Sequence, residues 1–309
     1  MDYDEFKKEL KKEVEHLFAC RDTHYTIKLC KVRKNNGVEF DTFCICEDHK
    51  NAGLNIYVDS YFNDYRAGKS IIDIAAGIIE YYIKMKDIKI NNFDNIFELN
   101  SCKRSIYLRL VNYNRNSEIL KNAPHIRYLD LAITFRYGFF ESDGSFISTL
   151  VCVEFMKNWG VSLDELYRIS FINTVRDFPF KVKSLSSILI ESILNELEVD
   201  KCKEIYQILQ AIDDEINMYV CTNVTGINGA TCILYNNVLQ KFSKEFNCNV
   251  FILPSSIHEL LLVPETSEFM ADFLRDLVVD VNKAAVSDVD FLSDNVYYYN
   301  RVINTVTIV

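Results

Sequence analysis

The chain has 309 residues, 49% of them hydrophobic and 25% charged, with only 9 Gly and 4 Pro, which excludes a disordered, linker-rich or fibrous protein. A chain of this size buries about 75% of its extended surface, enough for a true core. The net charge of -10, from 44 acidic against 34 basic side chains, repels phosphate backbones and anionic lipid. Neither direct nucleic-acid binding nor membrane association is expected, and a protein partner with a basic surface is.

The opening residues, MDYDEFKKELKKEVEHLF, lack the basic head and apolar block of a secretory signal, and no run reaches the roughly 18 apolar residues of a membrane span. A cytoplasmic location is expected. The cysteines are scattered, and Cys44, Cys46, Cys152 and Cys232 lie in apolar runs, as small buried hydrophobes in a reducing compartment do.

Residues 4–18 place Phe6, Leu10, Val14 and Leu17 at helical spacing between Lys and Glu, an amphipathic opening helix. Two β-rich runs then flank Lys34, Asn35, Asn36 and Gly37, whose Asn and Gly tolerate the positive φ of a hairpin turn. A short strand-like piece follows. Next comes a helix with Ser70 as N-cap and Ile71, Ile74, Ile78 and Tyr82 on one face. SIYLRLVNY alternates as a strand, and RYLDLAITFRYGF with SFISTLVCV reads as a second hairpin turning at SDG.

Ser162 with Glu165 three residues on has capping-box spacing, predicting a helix to about Asn173. Residues 184–212 are again helical in period. From 219 to 264 the pattern is strand, loop, helix, strand, turn, strand, with Leu234, Val238, Phe242 and Phe246 on the helix. A last helix places Phe269, Phe273, Leu277 and Val281 on one stripe, and a strand containing Tyr297, Tyr298 and Tyr299 ends the chain. The fold class is therefore α+β, with mixed or antiparallel sheets built from hairpins and packed amphipathic helices. Without a Pro, Gly or Ser-rich linker, the change of pattern at 122–124 suggests N-terminal (1–122) and C-terminal (123–309) α+β regions, or one integrated unit.

Three polar clusters are candidate sites. Ser255, Ser256, His258 and Glu259 sit between two apolar runs. A serine and a histidine there serve as nucleophile and base, with Glu259 orienting the imidazole, only if folding brings them within hydrogen-bond reach. No GxSxG elbow surrounds either serine, and strand alternation would put His258 and Glu259 on opposite faces, so the alternative is a turn holding a hydrogen-bonded histidine. Thr222, Asn223, Thr225, Gly226, Asn228 and Gly229 form a polar loop entering a helix, where unpaired amides hold an anion or the loop simply caps. It lacks GxGxxG and GxxxxGK[ST], and no cofactor is expected. Arg109, Asn112, Asn114, Arg115 and Asn116 bring guanidiniums and amides suited to a carboxylate or peptide, against the plainer reading of a cap and turn. The histidines are dispersed, CxxC, HExxH and EF-hand loops are absent, and no metal site is expected.

KNNGV at 34–38, RLVNYNRN at 109–116, LDLA at 129–132, NWGVSLDELY at 158–167, ILPSSIHE at 252–259 and LSDNVYYY at 292–299 together resemble an uncharacterised clostridial family, itself distantly similar to YtpQ-like proteins. The resemblance implies one integrated α+β unit and carries over no catalytic residue. The leading functional expectation is a non-enzymatic cytosolic binding or adaptor protein. The alternatives are a small hydrolase or transferase using His258 with Ser255 or Ser256, and an acidic inhibitor of a nucleic-acid enzyme using runs such as Asp213, Asp214 and Glu215.

Overall fold

A computed structural model describes residues 1–20, 25–47, 53–142, 144–196, 217–265 and 271–309. The chain falls into two compact units, Met1–Ser101 and Cys102–Val309.

In the first unit, α1 (Tyr3–Ala19) starts in a capping box: the Asp2 carboxylate accepts from the Glu5 amide at 2.9 Å, and the Asp2 amide donates to the Glu5 side chain. Strands β1 (Tyr25–Arg33), β2 (Glu39–Glu47) and β3 (Leu54–Tyr57) form an antiparallel sheet in that order. The β1–β2 turn has Asn36 at φ 60° and Gly37 at φ 75°, as the sequence predicts. After α2 (Asp59–Arg66), α3 (Ile71–Asp94) begins where the Ser70 hydroxyl accepts from the Asp73 amide at 3.1 Å. The apolar stripes of α1 and α3 meet the inner sheet face in one core containing Phe6, Leu10, Val14, Phe43, Ile45, Ile74, Ile78 and Tyr82. At about 1.5–3 kcal/mol for each large apolar side chain buried, such stripes outweigh the intrinsic helix propensity of their residues.

A single turn, α4 (Leu99–Cys102), carries the chain across the partition. In the second unit, β4 (Ile106–Asn112) pairs with β6 (Leu131–Phe140) over seven positions, spanning the 122–124 stretch where the sequence changes pattern. The single turn α5 (Ser117–Leu120) and β5 (His125–Tyr128) lie between them, and β7 (Phe146–Leu150) joins the far part of β6. The predicted hairpin at SDG is present as β6–β7. The preceding RYLDLA does not continue it: Leu129 takes φ 56°, unusual for a leucine, and folds β5 back on β6.

Helices α6 (Val153–Trp159) and α7 (Leu163–Asp177) follow, the latter with the Ser162 hydroxyl accepting from the Glu165 amide at 3.2 Å. Side chains of α7 cap the open edge of β4: Thr174 accepts from the Leu108 amide at 2.9 Å, and Asn173 donates to the Ile106 carbonyl at 2.9 Å. A strand the sequence does not announce, β8 (Phe180–Ser184), precedes α8 (Leu185–Glu196); the rest of the helical stretch expected to 212 lies outside the described residues.

The second sheet is antiparallel, in the order β13-β12-β10-β11-β9-β8, with β9 (Tyr219–Asn223), β10 (Val250–Leu253), β11 (Leu260–Pro264), β12 (Tyr297–Asn300) and β13 (Thr305–Ile308). Helix α9 (Val238–Phe246) starts later than expected: Leu234 belongs to a 3-10 turn, Gly229–Leu234, and Asn237 at φ 69° separates the two. In α10 (Ala271–Ala285) the buried stripe is Leu274, Val278 and Asn282. This corrects the expected Phe273 stripe, since one residue of offset turns the face by about 100° and leaves Phe273 54% exposed. Phe269 lies outside the described residues. Tyr297 and Tyr299 are buried and Tyr298 half-buried, the predicted alternation.

Asp130, in the β5–β6 turn, joins the two sheets of this unit. Its carboxylate accepts from Ser293 Oγ at 2.6 Å, from Asn295 Nδ2 at 2.9 Å and from the Tyr297 hydroxyl. Burial first, and the Asp130 charge second, keep the Tyr297 phenol neutral and donating. No described helix is long and apolar enough to cross a membrane.

Candidate functional site

The sequence 222–231 packs so closely against 257–258 that one position must be glycine. A Cβ on Gly229 would lie 2.0 Å from Thr222 Oγ1 and 2.2 Å from the His258 carbonyl oxygen. These two atoms are themselves hydrogen-bonded at 2.7 Å, and the Ala230 amide donates to the Ile257 carbonyl at 3.2 Å. Gly229 is thus a crossing point of two segments.

The loop after β9 satisfies itself. Asn223 Oδ1 accepts from the Thr225 amide and hydroxyl at 2.9 and 2.7 Å, Asn223 Nδ2 donates to the Ile227 carbonyl at 2.7 Å, and the Ile227 amide reaches Thr225 Oγ1 at 3.2 Å. The Gly226 amide donates to the Asn223 carbonyl and the Thr231 amide to the Asn228 carbonyl. The amides of 224–228, 230 and 231, the kind an anion-binding loop turns outward, are engaged within the fold.

The 254–259 segment is held on its other side by 287–293. The Ile257 amide donates to the Asp290 carbonyl at 2.8 Å, the Leu292 amide to Ser255 and the Ser293 amide to Pro254, both at 2.9 Å; Ser256 bridges to Phe291. The RLVNYNRN stretch fixes the same 287–293 segment. Asn112 Nδ2 donates to the Leu292 carbonyl at 2.9 Å, Asn112 Oδ1 accepts the Arg115 amide, and the Arg115 guanidinium lies 3.6 Å from the centre of the Phe291 ring. Asn116 Nδ2 secures the Asn112 carbonyl at 2.8 Å. Two clusters more than a hundred positions apart, 109–116 and 254–259, therefore converge on 287–293, and 222–229 joins them through 257–258.

His258 is the centre of this convergence. Its Nδ1 is 3.1 Å from the Gly226 carbonyl oxygen and 3.4 Å from the Asn228 amide, and its Nε2 is 3.3 Å from Asp290 Oδ1. With Nε2–H facing the carboxylate, Nδ1 either accepts from Asn228 or, in the imidazolium, donates to Gly226. Asp290 Oδ2 also accepts from Ser287 Oγ at 2.7 Å. Both serines are buried: Ser256 Oγ accepts from the His258 backbone amide at 3.0 Å, and neither hydroxyl is hydrogen-bonded to the imidazole. Glu259 is half-buried, and its carboxyl is pushed up by desolvation, opposed by His258 and assisted by the Asp290 charge.

Arg109 lies deep beside this network. Desolvation pulls its guanidinium down to about 10, against the opposing effect of Asp290. A nearby cavity lined by Tyr107, Arg136, Phe146, Thr174, Phe178 and Asn228 measures about 10 Å³, the room of about one water, far below the roughly 300 Å³ at which small-molecule pockets begin. Among the described residues no group of three or more His, Cys, Asp or Glu is placed to hold a metal ion.

Sequence reasoning found His258, Thr222, Asn223, Asn112 and Arg115 but missed Asp290, which completes the network. Its only local signal is SDVD at 287–290, whose Ser287 caps the Asp290 amide at 3.2 Å. No curated protein and no solved structure matches the chain. A family model described as a family of unknown function matches residues 3–301, nearly the whole length, and the chain therefore belongs to the DUF5688 family.

Proposed function

We propose that the chain is a non-enzymatic cytosolic binding or adaptor protein whose recognition surface is the loop end of the second unit, centred on His258 and Asp290. The observation that carries this reading is that loops distant in sequence are locked together by hydrogen bonds while His258 and Asp290 stay about one-third exposed. A surface held in one conformation loses little entropy on binding. Asp288, 85% exposed, and Glu259 add acidic character, which suits a partner with a basic face. The likeness to clostridial and YtpQ-like proteins is part of this reading. The test is gentle purification of the tagged protein and intact-complex mass spectrometry: a stoichiometric partner lost in Asp290→Ala, with the fold intact, supports it. Retention by the variant at full occupancy removes this surface from the reading.

The hydrolase or transferase alternative needs a Ser255 or Ser256 hydroxyl brought onto the imidazole. A serine-directed fluorophosphonate that labels the native protein but not Ser256→Ala or Ser255→Ala would favour it. The acidic-inhibitor alternative draws on 213–215, which lie outside the described residues.

A further inference from the structure

His258 meets an acceptor at each ring nitrogen. Nε2 lies 3.3 Å from Asp290 Oδ1, and Nδ1 lies 3.1 Å from the Gly226 carbonyl oxygen, with the Asn228 amide a little farther off at 3.4 Å. A neutral ring holds one N–H, so with Nε2 donating to Asp290 its Nδ1 lone pair accepts from Asn228 and faces the Gly226 oxygen with no proton between them. The imidazolium donates at both nitrogens, to Asp290 and to Gly226, and leaves the Asn228 amide without its acceptor. Protonation thus exchanges one loop contact for another two residues away. Gly226 is exposed and Asn228 half-buried, and they take φ 71° and 54° on either side of Ile227. The ring itself reaches solvent, its side chain 35% exposed and that of Asp290 37%.

The charged groups around the ring come from three places. Asp290 faces Nε2, Glu259 is on the ring's own segment and interacts with its charge, and Asp288 lies on the 287–293 segment with the Arg115 guanidinium 3.7 Å away. Arg109 interacts with Asp290 from β4, and 222–231 contributes no ionisable side chain. Histidine changes charge between about pH 5 and 8, and a charged ring offsets the Asp290 carboxylate that a basic partner would meet. We infer that His258 is a pH-dependent latch between 226–228 and Asp290 that loosens the hold of this face on a basic partner in acid, an inference that rests on the binding-protein reading and gives its regulation.

The full chain, carrying nitrogen-labelled histidine, is followed by NMR from about pH 8 to about pH 5, together with amide hydrogen exchange of 226–228 corrected for the intrinsic effect of pH. The neutral ring is expected to hold its proton on Nε2. As the ring charges, protection of the Asn228 amide is expected to fall about 5-fold, the contribution of one hydrogen bond. His258→Gln, which does not titrate, is expected to show constant protection; should that variant not fold, the native titration alone decides. A neutral ring protonated on Nδ1, or Asn228 protection that stays constant while the ring titrates, overturns the latch. Gentle purification of the tagged chain at both ends of the range reads the consequence: a basic partner is expected to be retained about 2- to 5-fold less in acid, a fall that His258→Gln does not show. Equal retention by the native protein overturns the regulation. No partner at either pH overturns the binding reading and the regulation with it, while Asn228 exchange that follows the ring still supports the latch.

Discussion

Gly229→Ala tests the packing on which the candidate site depends. The added methyl meets the Thr222 hydroxyl oxygen at 2.0 Å and the His258 carbonyl oxygen at 2.2 Å, and neither is the free end of a flexible chain. The carbonyl is backbone, and Thr222 is on β9 between two paired neighbours. Relief requires the two segments to separate, breaking the 2.7 Å bond between Thr222 and His258. Overpacking of this kind costs about 1–3 kcal/mol, and the lost hydrogen bond about 1 kcal/mol more. A total near 3 kcal/mol lowers the melting temperature of a unit of this size by about 6–12 °C. Gly226→Ala is the control: it has φ +71° but open space around its Cβ position, so it carries only backbone strain of about 1–2 kcal/mol. Urea and thermal denaturation of both variants decide the matter. If Gly229→Ala melts with the native protein, or no lower than Gly226→Ala, the close crossing of 222–231 and 257–258 is wrong.

Asp130→Ala removes the acceptor of three side-chain donors, and hydrogen bonds to charged groups contribute about 1.5–3 kcal/mol each without adding fully; a loss of at least 3 kcal/mol is expected in urea unfolding. Glu259 is held protonated more strongly in the folded state than in the unfolded chain, because burial pushes its carboxyl up. The stability linked to that proton is complete below the unfolded carboxyl range and is lost as pH rises through the raised value, so Glu259→Gln is expected to gain stability relative to the native protein as pH increases from acid to neutral. A gain independent of pH would refute that assignment. In native protein, iodoacetamide is expected to modify exposed Cys20 well before buried Cys221 and Cys232, which should react only on unfolding; peptide mapping after a time course reads the order.

What the sequence made legible was short-range. The α1 stripe, the Ser70 and Ser162 caps and the Asn36–Gly37 turn each depend on residues within a few positions, where spacing and hydroxyl chemistry decide conformation. The site was legible only in pieces. Asn112 and His258 stood out as polar residues beside strands, but their meeting on 287–293 depends on the strand order of one sheet and the packing of another, which no local pattern encodes. Gly229 was noticed for its chemistry in loops, whereas its cause is a steric crossing with a carbonyl far away in the chain. Leu129 gave no warning, because nothing about leucine announces a left-handed turn.

The Asp130 carboxylate and its three donors are separated by 163, 165 and 167 positions. Contacts so remote raise contact order, and closing them late is slow for the same reason that long loops are entropically costly to close. During synthesis, β5 and β6 emerge with an acidic turn that stays hydrated until residue 297 has left the ribosome. Completion of the second unit is therefore expected to wait until its last strand is made, leaving the Asp130 network open while the intervening chain emerges.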